Sequence, residues 1–501
     1  MDFLDPKKQK AYRIRMIIGY CLVAIALLLA TTVLVELASG YGIDKNGQII
    51  QNGLIFMSST PSPAQIYIDG TRYKSDTNVR IPLPSGQYTV ELRRSGYITW
   101  KRAISVDGGV VTHYDYPFLF PTKLQTTALK SYDSKMNLAT QSPDRHWGLL
   151  QQGSSLKHFE VYDLTQPKQA PKDITLPDTV LATAQTGTAE SWSLVQWSTD
   201  NKHVVLKHNF TKNGQPAYEY ILVDRSDASQ SVNLTQAWGV NPTSVELRNQ
   251  HYDQYYLYDQ ANQTLDTATL KQPSPQSYLD HVLAFKSYGD NIMLYATTKN
   301  APPGKVDVVW HDGSNNYTLK TINASAAGQY LLDLTQYSGD WYVAVGDPTD
   351  GKVYIYKNPA DVIGAKAILV PVHILKAPGA TYLDFSDNAR FIMAENGSQF
   401  AVYDAENDKG FVYDQAAKMP LDAPQTHAIW MDGHRLTYVS KGKLVVFDFD
   451  SANPVTLNAA DSSYLPMFSN DYKYVYTIGA SADAQKPANF DQTALRTPQD
   501  L

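Results

Sequence analysis

A histidine beside a carboxylate is the usual starting point for proton-transfer chemistry. Three such neighbours occur: His251 with Asp253, His311 with Asp312, and His434 with Asp432. All three fall where the chain reads as a turn, and Asp favours turns by bonding its own backbone, so local geometry accounts for them without catalysis. Asp347-x-x-Asp350-Gly351 brings two carboxylates to one loop but lacks the alternating run that a calcium loop needs. The sequence holds no Gly-x-Ser-x-Gly elbow, His-Glu-x-x-His helix, Cys-x-x-Cys pair or Gly-Lys-Ser/Thr loop, which removes the strong signals of hydrolases, metallopeptidases and nucleotide enzymes. The reading therefore assigns no catalytic, cofactor-binding or metal residue, expects no cofactor and no enzyme, and leaves the binding residues unassigned.

The turns themselves recur along the chain. They include Ser142-Pro143-Asp144-Arg145, Ser198-Thr199-Asp200-Asn201-Lys202, Ser386-Asp387-Asn388-Ala389-Arg390, Met431-Asp432-Gly433-His434 and Ser469-Asn470-Asp471-Tyr472-Lys473, with a weaker copy at Arg248 to Gln254. An apolar strand follows each, such as His203-Val204-Val205-Leu206. Then comes a third strand that often ends in Asp, as in Phe400-Ala401-Val402-Tyr403-Asp404. The copies lie about 38 to 56 residues apart and average about 47, near the length of a propeller blade. One blade cannot bury both of its faces, whereas a ring of about eight can. The last turn leaves one full strand and a weak one at Gln492 to Thr497, so the final blade needs a partner, which Leu124 to Leu129 can supply. The expectation for 122–501 is a β-propeller of about eight blades, or seven if the copy at Arg248 is a loop elaboration. This array resembles the WD40-like propellers of exported bacterial proteins. Packing between blades consumes most of the 34 tyrosines.

Ahead of the array, residues 54–121 alternate with period two. Gln65-Ile66-Tyr67-Ile68 runs into an Asp69-Gly70 turn, and Pro84-Ser85-Gly86 launches Gln87 to Arg93, with Tyr88, Val90 and Leu92 on one face. The order S-x-P-x-x-A-x-I-x-I-D-G, then L-P-x-G-x-Y-x-V-x-L, then G-Y resembles a PEGA domain. Pro61-Ser62-Pro63-Ala64 stands where that family has Pro-Glu-Gly-Ala, so the Glu and Gly are replaced. The resemblance implies a small extracytoplasmic β-sandwich with no catalytic chemistry, an envelope location, and a role in presenting or contacting surface material. The module's glycines and prolines are explained by turn geometry, and a spacer or scaffold is the reading adopted.

Everything takes its place from Met16 to Leu37, an apolar run long enough to cross a roughly 30 Å hydrocarbon layer. Lys7, Lys8, Lys10, Arg13 and Arg15 crowd its N-terminal flank, so the positive-inside rule predicts residues 1–15 in the cytoplasm. The run is longer than a secretory h-region, and Leu37-Ala38-Ser39 is a poor cleavage site, which favours an uncleaved signal anchor at 16–37 and a linker at 38–53. The expected location is the cell membrane, single-pass, with the C-terminal domains extracellular. Cys21, the only cysteine, lies inside this run and leaves the exterior without a disulfide. Net charge is −6 overall, and +3 within the first fifteen residues, so the remainder is acidic at −9 and repels nucleic acid. The expected partners are the membrane, through residues 16–37, and an envelope protein or glycan held by the propeller. The alternative is an envelope hydrolase or lyase acting in the propeller channel. That reading needs convergent carboxylates or a His cluster on the innermost strands, which read mainly as Leu, Thr and Ser.

Overall fold

Ser142 shows why the recurrent turn folds as it does. Its hydroxyl oxygen accepts the Trp147 amide at 3.0 Å, and Ser386 and Ser469 do the same for Phe391 and Tyr474. The Asp of the turn takes the next amides: Asp200 accepts from Lys202 and His203 at 2.9 and 3.0 Å, and Asp432 from His434 and Arg435 at 2.7 and 2.9 Å. The reversal itself needs one residue at positive φ, supplied by Arg145, Asn201, Ala389 and Tyr472 in their respective turns. The third-strand Asp ties the turn down from the other side. Asp163 meets His146 at 3.1 Å, Asp224 meets Lys202 at 2.9 Å, and buried Asp404 takes Arg390 in a two-pronged bond at 2.8 and 2.7 Å.

The computed structural model describes residues 6–38, 40–43, 49–153, 155–181, 190–325, 328–397, 399–415, 419–481 and 485–501. The chain divides into two units, the first running to Lys123 and the second beginning at Leu124.

In the first unit a helix spans Pro6–Ala38, ten residues ahead of the apolar run, because the basic flank is also made of good helix formers. Its window from Gln9 to Glu36 is apolar and unburied. Thr31 and Thr32 return their hydroxyls to the carbonyls of Leu27 and Leu28, which satisfies them within the helix. The following module is two four-stranded sheets. One joins Thr71–Asp76, Gln65–Ile68, Gly86–Arg93 and Trp100–Val106. The other is built on Ile49–Met57, which pairs with Tyr41–Ile43 and Val79–Pro84. Val111–Tyr114 joins that second sheet in parallel. Ile55, Ile66, Ile81, Val90, Leu92 and Trp100 are buried in this unit. Asp69 and Gly70 both hold positive φ, as a two-residue hairpin with right-handed strand twist demands.

Among the described residues the second unit contains eight four-stranded antiparallel sheets. In chain order these blades cover 136–175, 191–233, 244–279, 282–323, 332–376, 382–414, 429–459 and 467–494. The stretch at Arg248 is a short helical turn inside a complete third blade, not a loop elaboration. Neighbouring blades share apolar cores: Leu149 and Phe159 of blade 1 with Trp192 and Val204 of blade 2, and Leu294 and Trp310 of blade 4 with Val343 of blade 5. Blade 8 packs Met467, Tyr476 and Phe490 onto Leu150 and Tyr162 of blade 1, which closes the ring. Gln125–Tyr132 supplies the last strand of blade 8, pairing with Ala488–Ala494 from Gln125 opposite Ala494 to Tyr132 opposite Ala488. The partner strand expected to be weak is thus a full one that starts before Gln492, and six of its seven residues are buried. Tyr220, Tyr255, Tyr256, Tyr403, Tyr438 and Tyr476 are among the largest fully buried side chains, in keeping with their reading as core.

Candidate functional site in the propeller channel

The first strands of the blades face the axis: those of blades 1, 2 and 3 touch in succession, as do those of blades 4, 5 and 6. Across blades 3 to 6 each of these strands carries a charged residue: Glu246, Lys286, Asp333 and Asp384. This corrects the expectation that the innermost strands offer mainly Leu, Thr and Ser. The Lys286 ammonium lies 3.3 Å from Asp333 Oδ1. The other Asp333 oxygen accepts the Phe385 amide of blade 6 at 3.2 Å, Ser287 donates to Glu246 across the blade 3–4 boundary, and Tyr382 is hydrogen-bonded to Asp384. Uncharged inner residues do similar work. Gln196 accepts the Leu247 amide at 2.8 Å, and Gln141 exchanges two hydrogen bonds with the Phe468 backbone at 2.7 and 3.0 Å. The channel-facing polar side chains therefore lace neighbouring first strands together.

A cavity of about 720 Å³ opens among blades 2 to 4 beside this belt, lined by Gln196, Thr199, Glu246, Gln250, Lys286 and Tyr288 among others. Lys286 is 44% exposed into that space and keeps donors beyond its bond to Asp333. Burial pushes Asp384 up to about 7, helped by the Asp333 charge and opposed by Lys286. Burial also raises Asp333 and Glu246. At Lys286 burial works the other way, but the carboxylates of Asp333, Asp384 and Glu246 outweigh it and hold the ammonium charged. At one mouth Arg145 reaches from blade 1 to Asp387 of blade 6 and to the Met431 carbonyl of blade 7 at 3.1 Å, while its guanidinium lies 4.6 Å from the Tyr472 ring centre of blade 8. Burial raises Asp387, and Arg145 opposes the rise.

The three histidine and aspartate neighbours do not converge, since they belong to blades 3, 4 and 7. Asp312 accepts the amides of Ser314 and Asn315, His311 bonds Asn316, and Asp432 caps its own turn. Asp347 and Asp350 bond Thr349 and Lys352, so both carboxylates serve their loop. Among the described residues one group, His158, Glu160 and Asp173, has donor atoms close enough for a metal ion. Its central carboxylate is already held by Lys130 at 2.6 Å, Tyr132 at 2.7 Å and Tyr162 at 3.0 Å. The sequence reading does not single out the channel residues, because the repeat signal lies in the apolar second and third strands and the partners of the inner charges lie on the next blade. The available signal was one charge inside an otherwise apolar or small-residue strand in four successive repeats: Val245-Glu246-Leu247, Phe285-Lys286-Ser287, Leu332-Asp333-Leu334 and Leu383-Asp384-Phe385.

Residues 52–119 match the PEGA domain family. No curated protein matches the chain by sequence. Solved structures overlap it loosely. An oligogalacturonate lyase in complex with manganese is 11% identical with a TM-score of 0.36, covering 63% of this chain and 95% of its own. The Myceliophteria thermophila Cps50 (Swd1) β-propeller domain is 8% identical with a TM-score of 0.32, covering 75% and 99%. A eukaryotic initiation factor is 13% identical with a TM-score of 0.38, covering 66% and 90%. The propeller assignment rests on the strand pairing above, and with the matched segment it gives the order of the chain: an apolar N-terminal helix, a PEGA domain and a β-propeller.

Proposed function

We propose that this chain is a single-pass membrane protein whose propeller binds an envelope protein or glycan without catalysis, with the cavity among blades 2 to 4 as its recognition site. The cytoplasmic face takes residues 1–15, and the domains beyond the helix are extracellular. The observation that carries this reading is the lacing of the channel. Gln141, Gln196, Glu246 and Asp333 each bond the neighbouring blade, so the polar belt is rigid, while the Lys286 ammonium, the Gln250 amide and the Tyr288 ring border open space. A rigid concave wall of mixed donors, acceptors and one aromatic suits recognition. The test uses the full-length chain in detergent micelles, immobilised and exposed to protein and glycan fractions of the cell envelope. The expected result is a species retained by the native chain and lost on Lys286→Ala. Retention unchanged by that substitution sinks the site assignment.

One observation favours a second reading, an envelope lyase or hydrolase. A carboxyl near 7 both gives and takes protons at neutral pH, and Asp384 lies beside Asp333 and the charged Lys286. Turnover of a glycan library that is abolished by Asp384→Asn, with no retained species, establishes this alternative and overturns the first.

A further inference from the structure

The outer edge of blade 5 departs from the rest of the surface. Between Val362 and Leu383 the sequence has no Asp or Glu, although the chain as a whole is acidic, and Lys366 and Lys376 flank Ala-Ile-Leu-Val-Pro-Val-His-Ile-Leu. The run ends in the outer strand His373–Lys376, and from Ile368 onward its residues alternate in exposure. Leu375 is buried against blade 6 and Leu369 packs on the core shared by blades 4 and 5. The intervening side chains point outward: Ile368 is 88% exposed, Val370 66%, Val372 40% and Ile374 43%. Four aliphatic side chains thus stand in a row on a chain whose other side is anchored in two cores. Scattered exposed aliphatics need no explanation, but a fixed row of them marks a contact surface.

We propose that this row lies in the headgroup region of an anionic lipid bilayer. Charge complementarity selects the occupant. An apolar centre with a cation at each end and no carboxylate between them is the pattern of an interfacial segment, whose lysines meet anionic headgroups while the aliphatics enter the acyl boundary. A peptide strand added to the edge fits less well, because Pro371 removes a backbone donor midway along it. The proposal rests on the reading of the N-terminal helix as a membrane anchor, which brings the chain to a bilayer.

The test reconstitutes the full-length chain into vesicles of phosphatidylcholine, alone or with an equal amount of phosphatidylglycerol, that contain nitroxide-bearing lipid. A fluorophore is placed at Val370→Cys or at Val240→Cys, both in a Cys21→Ser background, or on native Cys21. Val240 is exposed on another part of the propeller and serves as the reference. Quenching at 370 is expected to exceed that at 240 by roughly twofold or more in the anionic vesicles and to fall when phosphatidylglycerol is omitted or Lys366 and Lys376 are changed to Glu. Equal quenching at 370 and 240 overturns the proposal, as does a signal at 370 that follows protein density and self-quenching, which assigns the row to a second copy. Absence of quenching at Cys21 instead overturns the anchor reading, so the two failures are distinct.

Discussion

Glu395 ends the second strand of blade 6 with 1% of its surface exposed. One of its oxygens accepts the Ala428 amide at 2.8 Å, and the other has no hydrogen-bond partner. Burial pushes its pKa up to about 8. The folded state therefore holds a proton that the unfolded chain releases near 4.5, and the associated stability, complete below that pH, is lost as pH rises through 8. Glu395→Gln keeps the acceptor for Ala428 and removes the charge. Denaturant midpoints measured at pH 5 and pH 8 should show the substitution gaining on the native chain as pH rises, by about 3 kcal/mol at neutrality. A difference independent of pH contradicts this account. The sequence announces a strand at Phe391 to Ala394 but not the burial of the glutamate after it, because the amide that meets it lies 33 residues away.

The elements that were legible are those whose cause is local. A Ser hydroxyl five residues before the amide it accepts, an Asp capping its own turn and an Asp69-Gly70 hairpin all act within a few residues, so turns and apolar second strands read directly. First strands are different. Glu246, Lys286 and Asp333 find their partners on the next blade, 41 residues on for Glu246 and 52 for the bond from Phe385 to Asp333, and no short window contains both ends. Ring closure was legible for another reason: an incomplete last repeat leaves an unpaired edge, and an orphan strand ahead of the first repeat is its natural complement. That argument gives a prediction. Replacing Gln125–Tyr132 by a Gly-Ser run of equal length strips the edge from Phe490 and Asp491 and uncovers the core of Tyr162, Met467 and Tyr476. Thermal unfolding should broaden and shift down, and limited proteolysis should cut first in blade 8. Retention of a single sharp transition at the native temperature refutes the closing role.

For the whole molecule, the proposed membrane anchor and the order helix, PEGA domain, propeller predict that the last two share a side of the membrane. Trypsin applied to intact cells should remove the propeller and spare the first fifteen residues, as followed by antibodies to each end. The opposite pattern reverses the proposed orientation. The connectivity has a mechanical consequence as well. Gln125–Tyr132 is both the first strand of the second unit and the final strand of blade 8. A pull between the N-terminal helix and anything held on the blades enters the propeller through this strand and its pairing with Ala488–Ala494, alongside the Asp500 carboxylate that takes Arg94 and Tyr97. The seam that completes the ring is thereby also the place where tension from the N-terminal portion first meets the blades.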